Sequence, residues 1–244
     1  MAATVGLEHG TDAPGLRRRP AVVLTAVAVC MVVLVAVDRA GAALGIPGRV
    51  FRPAAVEPLA LLVVIAAARW VLEPTWNVWR SIGKPRALRE VAGLGVAVPM
   101  AVIGYGVGMI LAELVSAALS LDWQPSLTTT TSYFGGDRPW VLGVVAVLYP
   151  YLGAPLIEEV LFRLLALRAL LAVGLSAGTA VLASSVLFAL WHLPLGGASD
   201  PLAVAGLFGL GVVLGALTWW TGRLAPALTA HIGFNVAATI SALL

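Results

Sequence analysis

Apolar residues run along most of this chain in stretches too long and too uniform to be one face of an amphipathic helix or an alternating strand. Crossing the hydrocarbon of a bilayer takes about 20 mostly apolar residues in a helix. Such stretches fall at roughly 21–37, 54–72, 91–119, 139–153, 155–173, 177–192, 202–220 and 225–243. The pair 139–153 and 155–173 also reads as one long kinked helix. Because a bilayer interior offers no water to unpaired backbone groups, the pattern predicts an all-α, polytopic transmembrane bundle of about eight membrane segments.

Composition agrees with the pattern. The 244 residues are 60% hydrophobic and 11% charged, against about 25% charged in a soluble domain, so the chain reads as a multi-pass integral membrane protein. A net charge of +3, from 15 basic and 12 acidic residues, gives no reason to expect nucleic acid as a partner. The basic residues gather at segment ends instead. Arg17-Arg18-Arg19 precede the first apolar run, and Arg69, Arg80, Lys84, Arg86 and Arg89 lie within 69–90. By the positive-inside rule both regions face the cytoplasm, as in a bacterial plasma membrane protein with a cytoplasmic amino terminus. The 120–138 loop, with Asp122, Asp137, Arg138 and Thr128–Thr131, then lies outside, although Arg39, Arg49 and Arg52 in the first loop weaken the bias.

Residues 1–20 read as a disordered cytoplasmic tail, 21–138 as variable amino-terminal helices, and 139–244 as the core that carries the chemistry. The first apolar run resembles a signal sequence in having arginines before it and Ala40-Gly41-Ala42 after it. It is longer than a signal core and more spans follow, so it reads as an uncleaved helix. Trp70, Trp76, Trp79, Trp123, Trp140, Trp219 and Trp220 sit near span ends, where amphipathic rings suit the headgroup region. Gly104–Gly108 and Gly211–Gly215 have the small-xxx-small spacing of close helix packing. Cys30 is the one cysteine, which rules out an intramolecular disulfide.

Against this background, Glu158-Glu159-Val-Leu-Phe-Arg163 places two carboxylates and a guanidinium deep in apolar sequence. Such groups are costly at membrane depth and mark working sites that face the protein interior. On an α-helix Glu159 and Arg163 share a face and pair, while Glu158 points about 100° away and is free to take a proton. Further on, Phe188-Ala-Leu-Trp-His192 and His231-Ile-Gly-Phe-Asn235 each place two residues one turn apart. An imidazole and an amide aligned on one face are suited to donating hydrogen bonds to a single developing oxyanion.

In this order the three motifs resemble the signature of the CPBP family of intramembrane proteases (CAAX prenyl protease and bacteriocin-processing, or Abi-type). Leu164 departs from the glycine usual in that family. The resemblance covers roughly 140–244 and implies hydrolysis of a peptide bond in a membrane-associated protein or peptide. It implies Glu158 as the base that activates water, His192 orienting that water, His231 and Asn235 stabilising the oxyanion, and Glu159, Arg163 and Phe188 in support. No cofactor is favoured. A zinc ion held by Glu158, His192 and His231 is the alternative, although no His-Glu-x-x-His motif is present.

A non-catalytic binding or immunity protein of the same fold is a second reading. A proton-coupled transporter is a third, weakened by the lack of inverted repeats. Oligomeric state is not legible in the sequence. Level geometry agrees for Glu158 and His192, which lie similar distances from a turn at Gly174. Straight helices turning near Arg223 leave His231 on the order of 20 Å from that level at 1.5 Å per residue, unless a glycine-rich helix around 206–215 kinks, the 193–201 loop dips inward, or the helix boundaries differ.

Overall fold

The computed structural model describes residues 16–45, 55–72, 87–120, 148–192 and 201–243. Among them the chain forms seven helices and no β-sheet. These are α1 (Pro20–Ala43), α2 (Glu57–Val71), α3 (Ala87–Ala118), α4 (149–172), α5 (Ala177–Trp191), α6 (Pro201–Thr221) and α7 (Ala225–Leu243). The expected segments 139–153 and 155–173 do not appear as two spans within the described residues: the chain passes through Pro155 as the single helix α4. Residues 139–147 lie outside the described part.

The helices are those of an integral membrane bundle. Pro20–Ala43, Val91–Ala118 and Leu202–Thr221 are long and apolar enough to cross a bilayer, and Pro58–Val71 and Ala177–Trp191 are shorter apolar helices. The large side chains of α3, including Ile103, Ile110 and Leu114, are exposed, whereas its buried residues are small: Ala97, Ala101, Ala112 and Ser116. That is the arrangement a bilayer selects. Bulky side chains face lipid at no cost, and small ones let backbones close on one another.

Glycine sets the closest of these approaches. A Cβ on Gly108 of α3 would drive into the carbonyl oxygen of Ala205 on α6, and one on Gly209 into that of Gly104. Gly211 lies against Ser185 and Phe188 of α5, and Gly215 against Val181. Gly233 of α7 meets Val98 of α3 in the same way. Both small-xxx-small pairs read from the sequence are therefore contact surfaces inside the molecule, and α6 is the central post between α3 and α5.

The turns fall where the sequence places them. Gly174, with φ 93°, follows α4, and Ser176 caps α5 by accepting from the Thr179 N–H at 3.2 Å. Gly222, with φ 71°, ends α6. These left-handed conformations suit glycine, which has no Cβ to clash.

The expected tail covers residues 1–20, of which 1–15 lie outside the described residues. Its last part packs on the end of α2. Arg17 donates its backbone N–H to Val71 O at 2.8 Å and its guanidinium to Arg69 O. Arg18 stacks 4.9 Å over the Trp70 ring.

Candidate active site

The site is built around irregularities in α4. This helix opens with a π-helical turn, Tyr149–Gly153, in which the Ala154 N–H bonds to Tyr149 O. One α-helical stretch follows, Ala154–Glu158, and then a second π-helical segment, Glu159–Ala166, before α-helix resumes at Leu167. Two prolines and a glycine account for the first irregularity. Pro150 and Pro155 lack backbone donors, and Gly153 leaves room for the Tyr149 ring, which a Cβ would strike. The regular α-helix assumed for Glu158–Arg163 is thus corrected: Glu158 ends an α-helical stretch and Glu159 begins a π-helical one. Such turns are uncommon and recur at functional sites, because i→i+5 pairing re-aims the side chains that follow.

The re-aimed side chains are fully enclosed. Glu159 and Arg163 are 0% exposed and Glu158 is 7% exposed. The Arg163 Nε lies 3.4 Å from Glu159 Oε2, a close ion pair without the alignment of a hydrogen bond. Arg163 also donates from Nη2 to Gly211 O at 3.3 Å and lies 4.3 Å over the Phe188 ring. Gly211 belongs in this contact twice over. Its carbonyl accepts from Arg163, and its missing side chain leaves space for Phe188, whose Cδ1 would be 3.2 Å from a Cβ there.

Phe188 is the packing centre of the cluster. Its ring meets Phe162 at 5.6 Å, His192 at 4.9 Å and His231 at 5.7 Å between centroids, all edge-on. Its carbonyl oxygen lies 2.8 Å from His192 Nδ1. A carbonyl only accepts, so Nδ1 carries the hydrogen and the other nitrogen of the neutral ring, Nε2, presents a lone pair. His231 is oriented in the same sense, with Nδ1 2.9 Å from Glu159 Oε1, a carboxylate acceptor.

Both Nε2 atoms then face Glu158. His192 Nε2 is 3.8 Å and His231 Nε2 is 3.7 Å from Glu158 Oε2. The neighbouring Trp191 is buried and its ring lies 6.4 Å from that of Phe162. The expected 20 Å offset of His231 is therefore corrected. Helix α6 is a continuous α-helix over Pro201–Thr221, and residues 193–200 before it lie outside the described part.

Six of the seven residues named from the sequence thus meet in one cluster: Glu158, Glu159, Arg163, Phe188, His192 and His231. Asn235, one turn beyond His231, is committed elsewhere, donating from Nδ2 to Pro150 O at 2.7 Å. Leu164 is buried and brings no polar group to the site. The sequence reading missed Gly211 and Pro150, which enter the site through backbone carbonyls. No side-chain pattern announces a backbone carbonyl.

Glu158, His192 and His231 are donors of the kind a divalent cation takes. Among the described residues, however, no group of three His, Cys, Asp or Glu side chains is placed to hold a metal ion.

No curated protein and no solved structure matches the chain. Residues 139–237, which carry all three motifs, match the family model described as Rce1-like, type II CAAX prenyl endopeptidase, in agreement with the resemblance to the CPBP intramembrane proteases.

Proposed function

We propose that this protein is an intramembrane endopeptidase that hydrolyses a peptide bond of a membrane-associated protein or peptide by means of a glutamate-activated water. One observation carries the reading: Glu158 Oε2 faces the Nε2 atoms of both His192 and His231 inside an apolar bundle. Their separations of 3.7 and 3.8 Å exceed a direct hydrogen bond and suit one bridging oxygen. Glu158 Oε2 and His192 Nε2 are acceptors that repel unless a donor lies between them, and a water with two hydrogens serves both.

In this reading Glu158 accepts a proton from the water while the water oxygen bonds to the scissile carbonyl carbon and the C=O pair moves onto the carbonyl oxygen. His192, fixed by Phe188 O, holds the water in line. As the C–N bond breaks, Glu158 returns the proton to the leaving nitrogen, giving a carboxylic acid and an amine. The oxyanion falls to His231. In this reading His231 enters the cycle as the imidazolium, so that Nε2 donates, and Glu159, itself paired with Arg163, balances that charge from the Nδ1 side. Asn235 adds at most its second amide hydrogen, since the first is given to Pro150 O.

The matched family is named for CAAX prenyl substrates, and whether lipidation is read by this chain belongs to the test. With the arginines of Arg17–Arg19 and Arg69 on the cytoplasmic side, the amino terminus is cytoplasmic. Purified protein in liposomes is incubated with membrane-anchored peptides, with and without a prenylated cysteine near the carboxy terminus, and products are read by mass spectrometry. Hydrolysis that survives exhaustive chelation is expected. Folded protein that cleaves none of them, or only with metal restored, contradicts the proposal.

A further inference from the structure

Helix α7 presents three residues at successive turns, His231, Asn235 and Thr239, and each contacts α4. His231 reaches Glu159 at 2.9 Å. Asn235 donates to Pro150 O at 2.7 Å, and Thr239 Oγ1 receives the Tyr151 hydroxyl at 3.0 Å. The Thr239 hydroxyl in turn donates to Asn235 O at 2.9 Å. The ladder grips α4 on both sides of Pro155: His231 after it, Asn235 and Thr239 before it.

The middle rung answers a deficit that can be read from the backbone. In an α-helix Pro150 O would accept from the N–H of residue 154, but Ala154 gives its N–H to Tyr149 O in the π-helical pairing. The next donor in that pairing is residue 155, and it is proline. Pro150 O therefore has no helical donor, and a buried carbonyl left unpaired is costly. Pro150 is itself buried. The amide nitrogen of Asn235 occupies the place of the missing N–H; because the carbonyl only accepts, nitrogen rather than oxygen must face it.

We propose that Asn235 is a positioning residue. Its amide stands in for the backbone donor that Pro155 lacks, and so fixes the break in α4 at which the chain is aimed to bring the Glu158 carboxylate to His192 and His231. This rests on the peptidase reading for its catalytic consequence. The hydrogen-bond substitution itself does not depend on that reading.

The test is a double-mutant cycle. Pro155→Ala restores an N–H able to reach Pro150 O, making the Asn235 amide redundant. In the wild-type background Asn235→Ala is expected to lower kcat on the order of tenfold to a hundredfold, the scale of a misplaced catalytic group, with KM little changed. In the Pro155→Ala background the same substitution is expected to cost far less. Asn235→Asp, which keeps the shape but turns an oxygen towards Pro150 O, should behave as Asn235→Ala does.

Equal loss of kcat from Asn235→Ala in both backgrounds, in protein that unfolds at the wild-type temperature, overturns the proposal, as does full activity of Asn235→Ala. The cycle is also read in the unfolding midpoint, where the same coupling is expected without reference to activity. If Glu158→Gln leaves cleavage intact, the peptidase assignment falls alone. If the midpoints show no coupling between positions 155 and 235, the positioning proposal falls alone.

Discussion

Arg163 illustrates what a buried charge requires. The side chain is wholly enclosed, and three partners share its guanidinium: the Glu159 carboxylate, the Gly211 carbonyl and the Phe188 ring face. Removing the cation while leaving Glu159 in place strands a buried carboxylate, a loss of about 3–5 kcal/mol where one partner of a buried pair is deleted. Arg163→Met is therefore expected to lower the thermal unfolding midpoint of the detergent-solubilised protein sharply. Arg163→Lys, which keeps the charge but not the planar fork, is expected to fall between Arg163→Met and wild type. A midpoint for Arg163→Met equal to wild type contradicts the assignment of Arg163 as the counter-charge of the cluster.

Much at this scale was legible in the sequence, because ionisable residues stand out against apolar surroundings. The Glu159–Arg163 pairing follows from residue type and spacing, whereas the meeting of Glu158 with both histidines was implied by the family resemblance, since straight helices left His231 on the order of 20 Å away. The partner of Asn235 did not follow, since its acceptor is a backbone carbonyl freed by a proline and a change of helical pairing.

At the scale of elements, glycine decides which helices touch. Gly209 and Gly108 face backbone carbonyls across the α3–α6 contact, whereas a Cβ on Gly106, on the same helix as Gly108, would meet nothing within 4 Å. Gly209→Ala is expected to force the two backbones apart and destabilise by about 1–3 kcal/mol, as overpacking does. Gly106→Ala is expected to be neutral or stabilising by up to about 1 kcal/mol, because alanine favours helix. Unfolding midpoints of the two variants side by side check both, and a Gly209→Ala midpoint at or above wild type contradicts the close α3–α6 contact.

The apolar stretches marked five of the seven helices within a few residues of their observed ends; α1 runs six residues further, to Ala43, and α4 is one helix where two segments were expected. Hydropathy reports burial in lipid, and lipid-facing helices are uniformly apolar. What it cannot report is helical pairing: α-helical and π-helical turns of the same apolar residues have the same hydropathy. The π-helical segments of α4 were therefore invisible.

For the whole molecule, the bundle serves to bring three side chains from α4, α5 and α7 to one point inside an apolar body. Helix α6 sets the spacing by accepting Arg163 on Gly211 O and by lying flat against Phe188. Helices α1 and α2 pack beside α4, and α3 closes the far side of α6 and α7. Charged residues outside the cluster gather at helix ends, among them Arg17, Arg18 and Arg69 beside Trp70. A reaction that consumes water at such a point needs a base already within reach of it, and Glu158 is the carboxylate that faces both imidazoles.

The most direct test is the single-turnover rate of cleavage of a membrane-anchored peptide by Glu158→Gln beside the wild type, both chelator-treated and both shown to be folded by their unfolding midpoints. The substitution keeps the shape and removes the base, so a fall on the order of a hundredfold to ten-thousandfold is expected. A rate within a factor of about two of the wild type, far inside the effect of losing a general base, contradicts the account.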